Sequence, residues 1–181
     1  MAEKLGVYAS RAGVDNVALV TEAYHLAVLP RLAQLSDVFH HDLLHPARTA
    51  LILIENARCT KASVLAAAEV TETLFPQMRA QPGEIADALG HDVALLAEAV
   101  PDPADEEMLV ERLVTAGDDV ALIALAERLD HARHLHMRER SLWRAYFDQT
   151  ALVYMPLAQR VNDDLFLRFF RWATAFEKRL S

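Results

Sequence analysis

The feature that most constrains this chain is the near absence of any strand pattern. No segment alternates apolar and polar residues between Asn-Gly or Asp-Gly turns, as hairpins do. Apolar residues instead recur along the chain at the three- and four-residue spacing of helices. Prolines and glycines divide this pattern into segments of helical length. The sequence therefore predicts an all-α fold of eight to ten helices without an internal repeat.

Residues at the ends of these segments predict most of the helix boundaries. Proline suits the first turn of a helix, Ser, Thr and Asp suit the position before it, and glycine suits the position after the last turn. The predicted helices span approximately residues 15–27 with a continuation past Pro30 to 35, 47–57, 60–74, 82–89, 91–99, 105–116, 120–135, 140–161 and 162–180. Pro156 is expected to bend the segment at 140–161.

Length and charge limit the function classes. A chain of 181 residues suits one domain, which buries roughly 70% of the surface of its unfolded chain. The net charge of −8 argues against a general nucleic-acid binder, although it leaves room for a phosphorylated small molecule held by local cations. One cysteine fits a reducing compartment, and no apolar run is long enough for a signal peptide or a membrane span. A cytoplasmic protein with no membrane partner is expected.

The first candidate for chemistry is the stretch F-H-H-D-L-L-H-P at 39–46, which contains three of the eight histidines. His45 comes directly before Pro46, so it is expected at a helix entrance, from which an imidazole can reach a cavity between helices. Imidazole is a common metal ligand and carries protons near neutral pH. The alternative is that these histidines only cap or cover the helix end.

Two further clusters contain carboxylates beside apolar helical runs. Glu69 follows three alanines, and Glu72 comes three residues later, on the same face if the helix continues. Glu127 ends another apolar run and is one turn from Asp130 and His131. A carboxylate at such a place is costly to bury unless it is paired or ligated. The alternatives are a solvated face for the first pair and a surface salt-bridge array for the second cluster.

Four segments, in this order, resemble those of a known family. They are H-P at 45–46, E-I-A-D-A-L-G-H-D-V-A-L-L at 84–96, D-V-A-L-I-A-L-A-E-R-L-D-H-A-R at 119–133 and Y-M-P-L-A-Q-R at 154–160. They are similar to the His-Pro, E-I-x-x-x-F-G-x-x-V-A-x-L-V, D-x-R-x-x-L-I-K-L-A-D-R-L-H-N-x-R and Y-x-P-L-A-x-R-L elements of the RelA/SpoT alarmone hydrolase domain. That domain is a branch of the HD-type metal-dependent phosphohydrolases. The resemblance implies a compact multi-helix HD-domain-like bundle, with residues 1–181 forming a single domain.

The resemblance also implies a metal site. Family members hold one divalent cation, usually manganese, with the His of His-Pro, a His-Asp pair and the Asp of L-A-D-R-L. In this chain His45 matches the first ligand, Glu69-Val70 stands where the His-Asp pair is expected, and Glu127 replaces the last Asp. We therefore predict His45, Glu69 and Glu127 as ligands of Mn²⁺ or Mg²⁺, with one family ligand lost because Val70 cannot coordinate.

The predicted catalytic residues are Glu72 and Arg128. Glu72 lies near the position where the family places an acidic pair that handles the attacking water, one residue out of alignment. Arg128 follows Glu127 in the segment that is similar to L-A-D-R-L. The family's basic pair ahead of His-Pro, which meets substrate phosphates, has no clean counterpart, since Arg31 is the only Lys or Arg between Arg11 and Arg48.

Three functions remain open at this point. The first is a divergent domain that has lost or altered the usual pyrophosphohydrolase activity, a pseudoenzyme that binds a phosphorylated nucleotide or regulates. The second is an active phosphohydrolase of the guanosine-bis(diphosphate) 3'-pyrophosphohydrolase type with a remodelled site, to which His40, His41 and Asp42 could add a replacement ligand. The third is an interaction module that forms a homo-oligomer through the aromatic residues of the last third.

Overall fold

A computed structural model describes residues 1–35 and 40–180, and these residues contain helices and no strand. The all-α prediction is confirmed. Phe39, the first residue of the stretch at 39–46, lies outside the described residues. The α-helices are α1 Ala2–Ala12, α2 Val17–Gln34, α3 His45–Glu55, α4 Ala62–Val70, α5 Pro82–Leu89, α6 His91–Ala99, α7 Glu106–Thr115, α8 Asp118–His134, α9 Trp143–Gln149, α10 Met155–Val161 and α11 Asp163–Glu177.

Helix α4 lies at the centre of the bundle. All of its residues except Ser63 are buried, and it packs against α2, α3, α6 and α8. Four of its nine residues are alanine, which allows neighbouring helices to approach closely. The two clusters of candidate residues next to α4 and α8 are therefore held by the best-packed part of the molecule. No helix in the described parts of the chain combines the length and apolar character needed to cross a bilayer.

The joint between α5 and α6 is as the sequence predicts. Gly90 follows the last residue of α5 with a φ of 91°, a backbone conformation that favours glycine. Pro82 is the first residue of α5, and Glu84 accepts a hydrogen bond from the N–H of Gln81 in a capping box. The proline, the capping box and the glycine, which are all close in sequence, are sufficient to set the two ends of α5 and the start of α6.

Helix α4 is shorter than predicted, ending at Val70 instead of near residue 74. Thr71 is extended, and Glu72 turns back so that its Oε1 accepts hydrogen bonds of 3.0 Å from the N–H groups of Leu74 and Phe75. These bonds replace those that a continued helix would make. Glu69 and Glu72 therefore do not share a helical face.

The start of α2 also differs from the prediction. Asn16, and not Asp15, caps the helix by accepting a hydrogen bond from the N–H of Leu19 at 3.2 Å. Asp15 instead accepts a hydrogen bond of 2.8 Å from the N–H of Ala62, the first residue of α4. Asp15 thus caps a helix that is distant in sequence. Helix α2 continues through Pro30 to Gln34.

The predicted helix at 140–161 is divided. A 3-10 turn at Arg140–Leu142 precedes α9, and a single wide π-helical turn at Thr150–Tyr154 separates α9 from α10. Pro156 is the second residue of α10, where a missing N–H is tolerated next to the wide turn. This division adds one α-helix, and α1, which the sequence analysis did not predict, adds another, so the described residues contain eleven α-helices.

The aromatic residues of the last third pack largely on one another. The ring centroids of Trp143 and Phe176 are 5.2 Å apart, and those of Trp172 and Phe176 are 5.5 Å apart. Phe147 contacts Trp172 in the same group, whereas Phe170 is 52% exposed. Most of these rings therefore contribute to packing within the chain, and the homo-oligomer stays a prediction.

Candidate functional site

Three side chains from separate parts of the chain converge beside α4, and we call His45, Glu72 and His131 the inner cluster. His45 is the first residue of α3, Glu72 follows α4, and His131 lies in the last turn of α8. One possible ligand atom from each lies within 4.8 Å of the others. The residues are 0%, 2% and 5% exposed, and the two imidazole rings stack with centroids 4.3 Å apart. The inner cluster is a buried set of two imidazoles and one carboxylate.

His45 is held in one orientation by a carboxylate. Its Nδ1 lies 2.8 Å from Oδ2 of Asp130. Arg48 donates to the same carboxylate, from Nε to Oδ1 at 2.7 Å and from Nη2 to Oδ2 at 2.8 Å. Burial opposes ionisation of Asp130, but His45 and Arg48 hold its pKa well below the ordinary value. Nδ1 of His45 therefore carries the proton. Its Nε2, 3.9 Å from Oε2 of Glu72, has no hydrogen-bond partner in the described chain.

Glu72 is already surrounded by cations and N–H donors. Its Oε2 accepts a hydrogen bond of 2.8 Å from Nη2 of Arg31, and its Oε1 lies 3.2 Å from Nε2 of His131. Arg31 is fully buried and also donates to the carbonyl groups of Ala27 and Met78. Burial opposes the charged form of Glu72, but His131, followed by His45 and Arg31, lowers its pKa so that it is ionised.

His131 lies between two carboxylates. Its Nε2 is 3.2 Å from both Oε1 of Glu72 and Oε1 of Glu127. Burial disfavours an imidazolium ion, but Glu127 and Glu72 outweigh it and raise the pKa of His131 to about 10. Glu127 is held in turn by Thr73, whose N–H and hydroxyl donate hydrogen bonds of 3.0 and 2.6 Å. His131 is therefore a buried cation at neutral pH.

The buried carboxylates in and around the inner cluster are paired with cations of this chain. Three buried carboxylates face three cations, and each carboxylate is within 3.2 Å of at least one of them. The carboxylates belong to Glu72, Glu127 and Asp130, and the cations are Arg31, Arg48 and His131. Buried charges are tolerated when they are paired and hydrogen-bonded in this way.

The inner cluster has the donor atoms for a divalent cation, with one requirement. The unpartnered Nε2 of His45 fits a metal ligand, and its Nδ1 contact with Asp130 is the usual orienting contact of such a histidine. Among the described residues, Oε2 of Glu72 accepts a hydrogen bond only from Arg31 and so keeps one acceptor position, whereas His131 must first lose its proton. Two imidazoles and a carboxylate suit Zn²⁺, Mn²⁺ or Fe²⁺ better than Mg²⁺.

The predicted ligand set of His45, Glu69 and Glu127 is distributed differently in the structure. His45 belongs to the inner cluster, and Glu127 borders it through His131. Glu69 is fully buried in α4, and neither of its carboxyl oxygens has a hydrogen-bond partner within the described residues. Burial raises the pKa of Glu69 well above its ordinary value and so disfavours the charged form of its carboxyl. Val70, beside it, is also fully buried.

The two surface alternatives for the carboxylate clusters are wrong. Glu69 and Glu72 are buried, so they do not form a solvated face. Glu127, Asp130 and His131 are also buried, so they do not form a surface salt-bridge array. Both clusters are internal because α4 and α8 are covered by other helices on the relevant faces.

Arg128, predicted as catalytic, supports the wide turn after α9. Its Nε donates to Oγ1 of Thr150 at 2.8 Å, and its Nη2 donates to the carbonyl group of Tyr146 at 2.8 Å. The guanidinium carbon lies 3.5 Å from the centre of the Tyr146 ring. Arg128 also lines a cavity beside the inner cluster. Its catalytic role stays a prediction.

A cavity of about 700 Å³ lies beside the inner cluster. Phe75 and Thr73 line it and also contact the cluster, since the Phe75 ring is edge-on to His131 at 5.9 Å and Thr73 holds Glu127. Two guanidinium groups, Arg128 and Arg138, lie in its wall. The rest of the lining includes the rings or alkyl chains of Pro76, Leu135, Met137, Leu142 and Tyr146 and the carboxylates of Asp102, Glu106 and Glu139.

A second histidine-rich group precedes His45, and we call His40, His41 and Asp42 the outer cluster. Nε2 of His41 lies 3.1 Å from Oδ1 of Asp42, and Nδ1 of His40 lies 3.6 Å from Oδ2. Burial lowers the pKa of His41 to about 4, so its imidazole is neutral at pH 7. Burial opposes ionisation of Asp42, but Arg138 lowers the pKa of this carboxyl.

The sequence analysis did not predict that His131 and Arg31 belong to the site. A signal existed for His131, because it lies four residues after Glu127 on a helix and the two side chains must face each other. For Arg31 no local signal existed, since Glu72 is 41 residues away in sequence. Its isolation as the only basic residue of its region was the sole indication.

The described chain has the fold of a SpoT-type hydrolase, as the motif resemblance predicts. It is similar to a solved structure reported under the description "A metazoan ortholog of SpoT hydrolyzes ppGpp and plays a role in starvation responses". The TM-score is 0.71 at 19% sequence identity, over 91% of this chain and 97% of the other. No protein-family model and no curated protein sequence matches the chain. The similarity establishes the fold, and the chemistry must be argued from the site.

Proposed function

We propose that this chain is a divergent SpoT-type domain that binds a phosphorylated nucleotide and in which the metal-dependent pyrophosphohydrolase activity is lost or altered. One observation carries this proposal. Where the RelA/SpoT resemblance requires a metal-ligating His-Asp pair, the chain has the fully buried residues Glu69 and Val70. Val70 has no donor atom, and burial raises the pKa of the Glu69 carboxyl well above its ordinary value, which disfavours the charged form that ligates a metal.

The charges around the inner cluster support the loss or alteration of activity. Arg31 and the protonated His131 already neutralise Glu72 and Glu127. A divalent cation entering this cluster must displace the proton of His131 and approach the guanidinium of Arg31. The affinity for metal is therefore lower than that of a site whose carboxylates face only the ion.

The adjacent cavity supports a phosphorylated nucleotide as the ligand. Its volume of about 700 Å³ lies within the range of small-molecule sites. Both hydrogen bonds from Arg138 to Asp42 come from Nη2, which leaves other N–H groups of that guanidinium for phosphate oxygens. The Phe75 and Tyr146 rings provide surfaces against which a base can pack. The structural neighbour hydrolyses ppGpp, which is a ligand of this kind.

The experiment compares binding with turnover. The purified chain is incubated with ppGpp and Mn²⁺, release of pyrophosphate is followed, and binding is measured by calorimetry under the same conditions. We expect binding without detectable turnover, and a loss of at least tenfold in affinity on Arg138→Ala, because a charge-assisted contact contributes about 1.5 kcal/mol or more. Arg144→Ala, at an exposed arginine outside the cavity, is the matched control. Turnover that requires Mn²⁺ and disappears in His45→Ala would contradict the proposal.

A second function is favoured by one specific observation, the unpartnered Nε2 of His45 facing Glu72. In this alternative the chain is an active phosphohydrolase whose cation is held by His45, Glu72 and His131. A divalent ion at such a site polarises a phosphate ester and lowers the pKa of bound water. The test is metal analysis of the purified protein together with hydrolysis of several phosphate esters. Stoichiometric metal that is lost with activity in His45→Ala supports this alternative, and metal-free protein without activity excludes it.

A further inference from the structure

The outer cluster has no role in the proposed function, yet its side chains are arranged as ligands. We propose that His40, His41 and Asp42 form a separate binding site for Zn²⁺ or a chemically similar divalent transition metal. The site is distinct from the inner cluster, because it uses three other side chains from the turn before α3.

The distances between the donor atoms support this site. One possible ligand atom from each of the three residues lies within 4.8 Å of the others. The side chains of His40, His41 and Asp42 are 33%, 16% and 3% exposed, so an ion can reach the cluster through His40. Nε2 of His41 is buried and makes no hydrogen bond with any described residue, although Asp42 is near. A buried imidazole nitrogen without a partner is costly, and a metal ion would satisfy it.

The carboxylate and the backbone of the cluster are fixed before any ion binds. Nη2 of Arg138 lies 2.8 and 2.9 Å from the two oxygens of Asp42, which keeps this carboxylate in place and leaves about two of its four acceptor positions. Nη1 of Arg48 donates a hydrogen bond of 2.7 Å to the carbonyl group of His41. The residues belong to the 3-10 turn His41–Leu44 and its capping residue His40. Little ordering is therefore needed on binding.

The donor set indicates the class of metal. Two imidazoles and one carboxylate suit Zn²⁺, which takes three protein ligands and a water in a four-coordinate site. Mg²⁺ and Ca²⁺ prefer oxygen ligands and are disfavoured here. The carboxylate of Asp42 supplies one negative charge, which Arg138 shares.

A metal at the outer cluster would also act on His45. The turn that carries the cluster leads directly into α3, whose first residue is His45. Arg48 connects the two clusters, because it binds the backbone of His41 and the carboxylate of Asp130 that orients His45. An ion that fixes the turn would therefore fix the entrance of the site as well.

The experiment uses the full chain and Zn²⁺ alone. The protein is freed of metal with a chelator, dialysed and titrated with Zn²⁺ by calorimetry. His45→Ala removes a ligand of the inner cluster, so binding that persists in this variant belongs elsewhere. We expect one Zn²⁺ per chain in His45→Ala, and an affinity at least about tenfold weaker when His41→Ala is added, since changing even an indirect partner of a metal costs 10- to 100-fold.

Two further variants keep the test decisive. His40→Ala changes the most exposed ligand and removes a ring contact with His41 and a hydrogen bond from the N–H of Asp42, with no fully buried group lost, so it serves if His41→Ala impairs folding. His25→Ala, at an exposed histidine of α2, is the control and is expected to bind Zn²⁺ as the parent does. The proposal is overturned if, in the His45→Ala background, His40→Ala and His41→Ala bind Zn²⁺ as tightly as His45→Ala alone, or if His45→Ala binds none. Neither result depends on nucleotide binding, so failure here is distinguishable from failure of the proposed function.

Discussion

The inner and outer clusters contain the same kinds of side chain but differ in how their charges are balanced. In the inner cluster Glu72 faces Arg31 and a protonated His131, and burial is nearly complete. In the outer cluster Asp42 faces Arg138, while the pKa of His41 is lowered to about 4 and its imidazole is neutral. Burial lowers the pKa of both histidines, and the two carboxylates beside His131 outweigh it, whereas Asp42 beside His41 does not. Two carboxylates around one ring make a cation, and one carboxylate already paired with arginine does not.

The protonation state of a histidine decides which of two roles it can have in this chain. A neutral imidazole has a lone pair ready for a metal or a proton, whereas an imidazolium ion acts as an internal counterion. The inner cluster thus resembles a salt-bridge network more closely than an open metal site.

The largest effect is expected for Arg31→Met. This change leaves Glu72 charged and buried with less compensation, so we expect the free energy of unfolding to fall by about 3–5 kcal/mol. Urea unfolding at pH 7 measures it. Arg11→Met, at an exposed arginine of α1, is the control and is expected to change stability by less than about 0.5 kcal/mol. Equal stability of the two variants would show that the inner cluster is not held by buried charges.

The second prediction concerns pH and His131. The folded-state pKa is raised from 6.5 to about 10, so the stabilising contribution is complete below pH 6.5 and is lost as pH rises through 10. His131→Asn should be less stable than the parent at pH 6, with a gap that narrows by on the order of 1 kcal/mol per pH unit. Urea unfolding of both proteins between pH 6 and 10 measures the gap. A gap that is independent of pH would mean that His131 is neutral in the folded protein.

A stabilising effect is expected for Glu69→Met. The carboxyl of Glu69 is buried without a hydrogen-bond partner among the described residues, and such a group costs about 1–3 kcal/mol. A methionine of similar shape removes that cost, so the free energy of unfolding should rise by this amount. Glu72→Met is the opposite control, because it leaves Arg31 without its partner and should destabilise the fold. If Glu69→Met is destabilising, Glu69 has a charged partner, such as a bound metal.

The smallest effect is expected for Arg48→Lys. A lysine cannot contact both oxygens of Asp130 and the carbonyl group of His41 at once, so the connection between the two clusters is weakened. The side chain is partly exposed, and we expect a loss of about 1 kcal/mol in the free energy of unfolding. Arg144→Lys on the exposed surface is the control. Unchanged stability of Arg48→Lys would show that the two clusters are independent.

The fold was predictable where the determinants are local. Gly90 must end α5 because its positive φ favours glycine, and Pro82 suits the start of the same helix. The end of α4 was not predictable, because Glu72 leaves the helix for Arg31 and His131, which are distant in the sequence. The role of Asp15 was also not predictable from the local sequence, because α4, the helix that it caps, begins 47 residues later.

The candidate site was predictable only for residues that a local sequence signal marks. His45 could be found from its place before Pro46, and Glu127 from its place after an apolar run. Glu69 was predicted as a ligand from the family spacing, and in the structure its oxygens are buried without a hydrogen-bond partner among the described residues. The pairing of charges across three helices decides which carboxylates are ionised, and a sequence does not show it.

The wide turn at Thr150–Tyr154 has a consequence for how this chain can tolerate changes in length. A single π-helical turn takes up one residue more than an α-helical turn without rotating the helix that follows. Deleting one residue there would give a regular helix and would leave Leu157 and Ala158 facing the core. The C-terminal helices could therefore vary by one residue at this position while the packing of the bundle is kept.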